Sequence, residues 1–534
     1  MKKIYLLAVI LFFVKNVQAQ LTSSNLPIIV INTNGQTIVD DPKKTCDMGI
    51  IYNGVGQTNY LADPFNHFFG KIAIEIRGST SQQYPKKSYG VETRDSAGNN
   101  LNVSLLGMPK DNDWILYGAY PDKTLMRNEF TYSSFASMQP WSPRYVYCEL
   151  VINNQYVGVY TLLEKIKIDD TRVDIANLDP DDNAGDSLTG GYIIKIDKTT
   201  GGSPNQWTSA YQSKVKFLYH APQYADLTSQ QRTYIKAYVD TFEKRVYGAN
   251  FQHPTLGYAP LVDQLSFVDF FLMQEFGRTV DGYRSSSFMY KDKDSKGGKL
   301  TCGPMWDFNL SYGNADYCDA YDTTGWQYNF NALCPSYAIL VPDWWNKLLQ
   351  DSNYTSLVKC RWNQLRAGRF SDVKLTQWVD SIASVLNAPQ QRNFQKWPIL
   401  GTYVNWNYYI GLTYADELNY YKKWMKDRAK WLDMNLPGTC LAPLSHENII
   451  QDKMEITVAP NPMSSHTVIS FYGNKLEGTK RLYVFDMTGR LVRQQETNSQ
   501  SSFVFERNNL PAGMYILKIA AENQQYVSEK LIIE

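Results

Sequence analysis

The sequence has little of several features that mark particular classes of protein. Its 534 residues carry a formal net charge of +1, so neither sign is in excess for a polyanionic partner, and we expect no nucleic acid to bind. Its five histidines are scattered and its seven cysteines form no Cys-x-x-Cys pair, which makes a zinc site unlikely to be the basis of function. After the N-terminal segment, no apolar run is long enough for a transmembrane helix, so none is expected in the mature chain.

The first segment has the pattern of a targeting signal. Lys2 and Lys3 precede an apolar run over 4–14, and Val17-Gln18-Ala19 supplies a small-residue cleavage site. This predicts a secretory signal peptide over residues 1–19 and an exported mature protein. Export permits a disulfide or two, and we favour Cys318–Cys334, which brackets a Tyr/Asp-rich loop. The odd cysteine count leaves at least one free thiol, which we expect to be buried.

Hydrophobic periodicity divides the remaining chain into a β-rich half, an α-rich half and a small module. Residues 20–200 contain runs that alternate with period two, with a hairpin turn predicted at Asn153-Asn154. Residues 201–436 have helical spacing, and Thr228 with Gln231 forms a capping box. A polar linker over 437–453 precedes an all-β module over 454–534. Further helices are predicted over 344–350, 353–367, 371–386 and 413–434.

The predicted fold class is therefore α+β. A two-lobed domain with a β-rich N-lobe and an α-rich C-lobe is followed by a small all-β sandwich. The cleft between two such lobes is the expected ligand site.

Two carboxylates stand in turn-like settings early in the α-rich half. Asp281 follows a long apolar helix and precedes Gly282, while Asp307 lies between Trp306 and Phe308. Phosphoryl transfer needs two such groups, one that accepts or orients the nucleophile's hydroxyl and one that holds a metal against the phosphates. The alternative is structural, because Asp-Gly is a common turn dipeptide and an aspartate before an apolar strand can be a cap.

Nine short motifs occur in an order that resembles the spore coat protein H (CotH) kinase family. The resemblance covers about residues 27 to 435. It implies an atypical protein-kinase-like fold that uses ATP and a divalent metal, Mg²⁺ or Mn²⁺, to phosphorylate Ser or Thr on proteins. The motifs are Arg77-Gly-Ser-Thr-Ser81, Pro85-Lys-Lys-Ser-Tyr89, Leu106-Gly-Met-Pro109, Asp113-Trp114, Met126-Arg-Asn128, Gly158-Val-Tyr160, Gly190-Gly-Tyr-Ile-Ile-Lys195, Val280-Asp281 and Trp306-Asp307-Phe308.

The resemblance implies roles for three residues of the α-rich half. Asp281 matches the family's catalytic aspartate. Asp307 matches the metal-binding aspartate and stands where typical kinases have Asp-Phe-Gly. Ser286 lies five residues after Asp281, the offset at which typical kinases place a metal-binding Asn, so it is a second candidate metal ligand.

Five residues of the β-rich half are candidate contacts for the nucleotide. Arg77 and the pair Lys86-Lys87 would contact phosphates, since an Arg fork and a Lys point charge both suit phosphate oxygens. Lys86 and Lys87 alternate along a strand, so at most one of them faces the cleft. Arg77 has the alternative of pinning a loop through backbone carbonyls. Glu164 would lie at the hinge or bind a Lys, and Lys195 is a further cation for the cleft.

The chain also departs from ordinary protein kinases. It contains no Gly-x-Gly-x-x-Gly loop and no Val-Ala-Ile-Lys strand, and Arg278-Thr-Val precedes Asp281 where a His-Arg pair is usual. The interval from Asp281 to Asp307 is also longer. The CotH pattern tolerates these departures, whereas a typical kinase would not.

The C-terminal module has its own resemblance, to the C-terminal sorting domain of the type IX secretion system of Bacteroidota. That resemblance implies type IX machinery as a partner, passage through the periplasm and across the outer membrane, and a secreted or surface location. The alternative is an immunoglobulin-like accessory domain. The motifs are Ala459-Pro-Asn-Pro462, Asp486-Met-Thr-Gly-Arg490, Leu510-Pro-Ala-Gly-Met-Tyr515 and Lys530-Leu-Ile-Ile.

Three functions remain open from the sequence. The first is a secreted atypical kinase that transfers phosphate from ATP to Ser or Thr of surface or secreted proteins. The second is a non-catalytic surface adhesion or carbohydrate-associated protein on a kinase-like scaffold. The third is a nucleotide hydrolase or another transferase on the same fold, since a fold does not fix a function. Retention of both aspartates favours the first, while export and a rich aromatic content favour the second.

Overall fold

The chain divides into two compact units, Met1–Leu441 and Ala442–Glu534. The computed structural model describes residues 21–199, 205–440, 455–472, 480–486, 491–497, 502–520 and 526–534. The predicted signal peptide and most of the predicted linker lie outside these ranges. No helix within them is long and apolar enough to cross a membrane.

The first unit contains a closed seven-stranded barrel, in the order β2-β3-β5-β6-β7-β9-β8. Strands β2 and β8 close it in parallel, and the other neighbours pair antiparallel. Inward side chains such as Met48, Ile74, Leu116 and Leu162 fill it. The strands up to this point are β1 Ser23–Ser24, β2 Ile28–Asn32, β3 Lys44–Ile51, β4 Asn59–Tyr60, β5 Phe68–Arg77, β6 Ser88–Arg94, β7 Asp113–Tyr117, β8 Tyr145–Ile152 and β9 Gln155–Glu164.

The hairpin predicted between the last two barrel strands is confirmed. Asn153 and Asn154 both have left-handed backbones, with φ of 49° and 61°, between β8 and β9. Two consecutive positive φ values are the conformation of the tight type I′ turn, which Asn tolerates better than most residues.

A second sheet, in the order β11-β12-β10-β13-β14, crosses the predicted boundary at residue 200. Strand β10, assigned from the sequence to the β-rich half, pairs with β12 and β13 of the following part. Residue 200 therefore does not separate two sheets. The register places Ile196 opposite Ser287, which brings the end of β10 to the segment before β13. These strands are β10 Tyr192–Ile196, β11 Gln206–Thr208, β12 Lys216–Ala221, β13 Ser287–Lys291 and β14 Thr301–Cys302.

The described part of the first unit also contains nine α-helices, and the predicted helices and capping box are present among them. The central helix is α3, which begins at its cap Asp263 and is buried on nearly every side from Ser266 to Gly277. Each large apolar side chain buried there contributes about 1.5–3 kcal/mol. The helices are α1 Arg127–Phe135, α2 Ser229–Tyr247, α3 Gln264–Gly277, α4 Phe330–Leu333, α5 Trp344–Leu348, α6 Ser352–Ala367, α7 Asp372–Val385, α8 Asn387–Lys396 and α9 Tyr414–Asn435.

The cysteines form two disulfides. Cys318–Cys334 is the predicted pair, and Cys360–Cys440 was not predicted. The second bond ties Cys440 to α6, so the first residues of the predicted linker are fastened to the first unit. The remaining three cysteines, Cys46, Cys148 and Cys302, are free and buried, which confirms the expected buried thiol.

The second unit is all-β, as predicted. A three-stranded sheet, β15-β16-β19, and a four-stranded sheet, β18-β17-β20-β21, share one core in which Ile469, Phe503, Leu482 and Leu517 are buried. The predicted Thr488-Gly489 hairpin lies outside the described residues. The strands are β15 Glu455–Ala459, β16 His466–Tyr472, β17 Lys480–Asp486, β18 Leu491–Thr497, β19 Ser502–Glu506, β20 Gly513–Ala520 and β21 Tyr526–Ile533.

Candidate active site

Asp281 lies on a tight turn between α3 and β13. Arg278 ends α3 with a left-handed backbone, φ 42°. The amide of Gly282 donates to Thr279 O at 2.9 Å, and that of Ser285 donates to Asp281 O at 2.9 Å. A Cβ at position 282 would lie 2.7 Å from Gln274 Oε1 and 3.0 Å from Thr279 O, so glycine fits this turn without a shift of its neighbours. The turn leaves the Asp281 side chain 31% exposed.

The Asp281 carboxylate is paired with one arginine. Arg284 Nη2 donates to Asp281 Oδ1 at 3.1 Å, and the arginine side chain is only 5% exposed. Burial raises the pKa of Asp281 above its ordinary value, while the charges of Arg284 and Lys198 lower it and that of Asp197 raises it. Among the described residues, no hydrogen bond is made to Asp281 Oδ2, so that oxygen is open to the cleft.

Asp307 is held in place from behind by helix α1. Its own backbone is left-handed, with φ 66°. Asn128 Oδ1 accepts the amide of Phe308 at 2.6 Å, and the Tyr132 ring stacks on Trp306 with centroids 5.9 Å apart. On the other side, the amide of Tyr312 donates to Gly277 O at 2.7 Å, at the end of α3. The two aspartate loops are therefore both fastened to the same central helix.

The electrostatics show that the two aspartates share one site. Asp307 is open to solvent, yet its pKa is raised to about 6, first by burial among the surrounding protein and then by the negative charges of Asp281 and Asp197. The charges of Arg77 and Lys198 lower it. A group that is surrounded by protein but still accessible stands in a concave cleft. Here the cleft holds the acids Asp307, Asp281 and Asp197 and the cations Arg77 and Lys198.

Arg77 reaches this cleft, as predicted. It is the last residue of β5, and its guanidinium carbon lies 5.7 Å from the centre of the Trp306 ring, beside Asp307. Burial lowers the pKa of Arg77, and the charge of Asp307 raises it. The described contacts of this guanidinium include no backbone carbonyl, so the alternative in which Arg77 pins a loop finds no support among them.

The prediction that Lys86 or Lys87 lies across the cleft is wrong. Lys86 is buried with Nζ donating to Ala119 O, Val159 O and Asn393 Oδ1 at 3.2, 2.6 and 2.9 Å. Three acceptors use its three donors, so it serves the packing of the barrel against α8. Lys87 donates to Gln82 O at 2.5 Å and lines a different cavity, of about 490 Å³. The expected alternation along a strand does not apply to them either, because β6 begins at Ser88, after both residues.

The carboxylate of Glu164 forms salt bridges with arginine side chains and not with a lysine. Arg144 donates to both of its carboxylate oxygens, at 2.8 and 2.7 Å, and Glu164 is fully buried. No oxygen is left to meet a ligand, so its assignment as a nucleotide contact is wrong. Lys195 does lie beside the cleft, but its Nζ is 2.7 Å from Asp197 Oδ2.

Asp197 and Lys198 were not predicted as site residues. Asp197 Oδ1 accepts the hydroxyl of Ser285 at 3.1 Å, so it ties the end of β10 to the Asp281 turn. Lys198 Nζ donates to Thr80 Oγ1 at 3.1 Å, which places it near the Arg77 loop. It therefore occupies the position that was expected of Lys86 or Lys87. The available signal was the Lys-Ile-Asp-Lys sequence ending a predicted strand.

Ser286 stands directly before β13 with a left-handed backbone, φ 48°. It is Ser285, and not Ser286, whose hydroxyl is bonded to an aspartate of the cleft. Half of the fourteen left-handed non-glycine residues of the described chain lie within 278–319. Such conformations cost energy and collect where the chain is held for function.

No three His, Cys, Asp or Glu side chains of the described chain lie close enough together to make a metal site by themselves. Mg²⁺ does not need such a cage, because it is commonly bound by one or two carboxylates together with substrate phosphates and waters. Asp307 fits that use, since its carboxylate is accessible and is not paired with either of the two cations beside it by a salt bridge among the described residues. Mn²⁺ accepts the same oxygen ligands.

Comparison with known proteins gives two family matches. The family model described as CotH kinase protein matches residues 74–432, and the model described as Secretion system C-terminal sorting domain matches residues 457–534. One relative is ulvan lyase NLR42 from Nonlabens ulvanivorans, 32% identical over 107 residues. That match covers 20% of this chain and 18% of the lyase, so the chain spans less than a fifth of that relative's length.

Proposed function

The chain belongs to the CotH kinase protein family, and from that premise we propose that it is a secreted atypical protein kinase. It transfers the terminal phosphoryl group of ATP to Ser or Thr hydroxyls of surface or secreted proteins. The observation that carries the proposal is the shared cleft of Asp281 and Asp307, in which the charge of Asp281 helps to raise the pKa of Asp307, with Arg77 and Lys198 beside them. A kinase-like arrangement of two lobes around this cleft is part of the proposal.

Asp281 is proposed as the catalytic carboxylate. Its Oδ1 is occupied by Arg284, which fixes the carboxylate plane, and its Oδ2 is left to accept or orient the hydroxyl of the acceptor. A positioned carboxylate of this kind is the usual partner of the nucleophile in phosphoryl transfer. Its loop is held at both ends, by α3 and by β13, so the carboxylate stays in one place.

Asp307 is proposed to hold the divalent metal together with the phosphates of ATP. Bound there, Mg²⁺ or Mn²⁺ supplies positive charge against the phosphate oxygens. The chain's own contribution is an accessible carboxylate on a loop that Asn128 and Tyr132 fix in position. In this cleft Arg284 pairs with Asp281 and Lys195 pairs with Asp197, so Asp307 is the accessible acid left to meet a divalent cation.

Arg77 and Lys198 are proposed to bind the phosphates. Arg77 offers a planar fork next to Asp307, and Lys198 offers a point charge near the loop over Thr80. A triphosphate needs positive charge on more than one side, and these two cations come from separate parts of the chain, the end of β5 and the segment after β10. Lys195 balances the charge of Asp197 and takes no part in binding.

The protein acts outside the cytoplasm. The sorting-domain match at 457–534 assigns it to type IX secretion, which delivers proteins to the cell surface or the medium. Its protein acceptors are therefore sought among exported proteins, and ATP is met on the route of export or at the surface.

Isothermal titration with ATP tests the binding step of the proposal. The wild-type chain is expected to bind ATP only with Mg²⁺ or Mn²⁺ present. Asp307→Asn, which keeps the size of the side chain, should weaken that binding at least about tenfold, since a charged ligand to the metal is lost. Equal binding by both proteins, with and without metal, would refute the metal site.

A second function, carbohydrate association, is favoured by one observation. The loop before α9 exposes Tyr403, Tyr408 and Leu412, large side chains that a soluble protein usually covers. The named relative acts, by its title, on the polysaccharide ulvan, although it matches only a fifth of the chain. Retention of the chain on insoluble polysaccharides, lost in a Tyr403→Ala/Tyr408→Ala variant, would support this role.

A further inference from the structure

A disulfide-closed loop packs against the arginine that holds Asp281. The Cζ of Arg284 lies 4.2 Å from the ring centre of Phe330 and 4.8 Å from that of Tyr337. Phe330 lies within the loop 318–334 closed by Cys318–Cys334, and Tyr337 lies three residues beyond it. The two rings form an edge-to-face pair with centroids 5.4 Å apart, and the guanidinium packs against both of them, a contact that cation–π attraction strengthens when water is excluded.

The remaining contacts of Arg284 fix its direction. Nε donates to Val280 O at 2.8 Å, Nη1 donates to Ile339 O at 3.5 Å and Nη2 donates to Asp281 Oδ1 at 3.1 Å. These bonds join the guanidinium to two backbone carbonyls and to the carboxylate. The orientation of Asp281 therefore depends on an arginine that these bonds and the two rings hold in place.

The disulfide is joined to both rings through short backbone connections. The amide of Cys334 donates to Phe330 O at 2.8 Å, and that of Tyr337 donates to Cys334 O at 3.3 Å. On the other side of the bond, Tyr317 precedes Cys318 and stacks on Tyr337, with centroids 6.2 Å apart and planes 9° from parallel. Movement at Cys334 would therefore move both aromatic walls of the Arg284 pocket.

We propose that Arg284 is the positioning residue for Asp281, and that the Cys318–Cys334 disulfide keeps it in place, so that the site is assembled only in an oxidising compartment. The part of this inference that concerns activity rests on the proposed function. When a dithiol reduces the bond, it gives two electrons and two protons to the two sulfurs and itself becomes a disulfide, and the loop is left joined only by its backbone. The cytoplasm keeps thiols reduced, whereas the exported chain is oxidised.

The second disulfide provides a matched control. Cys360–Cys440 joins α6 to the segment after α9 and closes a different stretch of chain from the one that contains Phe330 and Tyr337. In a Cys360→Ser/Cys440→Ser variant, the Cys318–Cys334 bond is the one disulfide left for a reductant, because the other three cysteines are free and buried. Reduction of that variant with dithiothreitol therefore acts on the bond in question.

Hydrogen exchange measured by mass spectrometry tests whether the disulfide holds the Asp281 turn in place. This test needs no assay of activity. Dithiothreitol should speed exchange over residues 279–287 in this variant by about tenfold, and reoxidation should reverse it. Exchange over α6 should stay the same, which shows that the fold survives. Unchanged exchange over 279–287 overturns the proposal, whether or not the protein proves to be a kinase.

The rate of phosphoryl transfer tests whether the position of Arg284 affects catalysis. Reduction of the same variant, and Arg284→Met in the wild-type chain, should each lower kcat by about 10- to 100-fold, since a displaced catalytic group costs that much. The Kd for ATP should not change. If the oxidised wild type transfers no phosphate, the proposed function fails while the exchange result still judges the positioning role. If transfer is the same before and after reduction, the proposal is wrong.

Discussion

The carboxylate of Asp281 faces the same cleft as that of Asp307, closely enough that its negative charge helps to raise the pKa of Asp307 to about 6. The two residues are 26 positions apart, on separate loops, and both loops are fastened to α3. The Asp281 carboxylate is partly neutralised by Arg284. The Asp307 carboxylate is accessible, and the loop that carries it is held by contacts with α1. That asymmetry gives them different tasks, a positioned acceptor of a hydrogen bond and a free ligand for a cation.

The raised pKa of Asp307 predicts how metal binding depends on pH. The carboxyl is protonated below about pH 6 and ionised above it. Affinity for Mn²⁺ should therefore rise between pH 5 and pH 7, because the metal binds the ionised form. Titration of Mn²⁺ at several pH values, followed by electron paramagnetic resonance, measures this. Asp307→Asn should remove the pH dependence in that window, and a wild-type affinity that is flat from pH 5 to 7 would contradict the assignment.

The same pKa predicts an effect on stability. The folded state holds its proton up to about pH 6, whereas an unfolded Asp releases it near pH 4, so between these values the folded state binds more protons. The free energy of unfolding contributed by this group then falls as pH rises through that window. Asp307→Asn should lessen that fall in denaturation midpoints measured from pH 4 to 6.5. A larger fall in the variant would show that Asp307 does not titrate as described.

Arg77 and Lys87 form a matched pair for the phosphate contact. Arg77→Ala should weaken Mg²⁺–ATP binding by about tenfold or more, because a charged hydrogen bond is worth about 1.5–3 kcal/mol. Lys87→Ala should leave it unchanged, since Lys87 lines a different cavity. Calorimetric Kd values for both variants check this. Equal losses in the two would mean that nonspecific positive charge, and not the cleft, attracts the nucleotide.

Lys86 should matter for stability and not for ATP. Lys86→Met keeps the length of the stem but leaves the acceptors at Ala119, Val159 and Asn393 without their donor. We expect the free energy of unfolding to fall by about 1–3 kcal/mol, with no change in the Kd for ATP. Guanidinium denaturation followed by tryptophan fluorescence gives the first value. A normal stability with weakened ATP binding would restore the phosphate role that the sequence predicted.

The C-terminal unit should be required for delivery and not for the fold of the first unit. Deletion of residues 455–534 leaves α9 and the Cys360–Cys440 bond intact. We expect the truncated chain to fold normally, with an unchanged thermal midpoint for the first unit, and to accumulate in the periplasm. Fractionation of cells that express both forms measures this. Appearance of both forms at the surface in equal amount would make the unit an ordinary accessory domain.

Local signals in the sequence were sufficient for much of the fold. Helices α6, α7 and α9 begin at side-chain caps, Asp351, Ser371 and Thr413, and all three were predicted to within about two residues. Helices α1 and α8 were missed, and each begins without a side-chain cap, after Met126 and Leu386. A missing cap removes one local signal but does not hide every helix, because α5 was predicted and has no side-chain cap at Asp343.

The candidate site was predictable in its acids and not in its cations. Asp281 and Asp307 are each marked by neighbouring residues, a glycine in one case and two aromatics in the other. Lys86 and Lys87 were distinguished only by an expected alternation along a strand, but both precede β6, which begins at Ser88, so that rule does not apply to them. Asp197 and Lys198 enter the cleft because β10 pairs with β13, about 90 residues later in the chain. That register is set by long-range pairing and is invisible in a local motif.

The central claim is that Asp281 carries out phosphoryl transfer, and one comparison tests it most directly. The oxidised, full-length chain and its Asp281→Asn variant are incubated with γ-labelled ATP, Mg²⁺ or Mn²⁺ and a mixture of exported proteins. The account predicts label on Ser or Thr with the wild type, a loss of about 10²–10⁴-fold in rate for the variant, and the same Kd for ATP in both. Equal labelling by the two proteins, or none by the wild type with either metal, would contradict it.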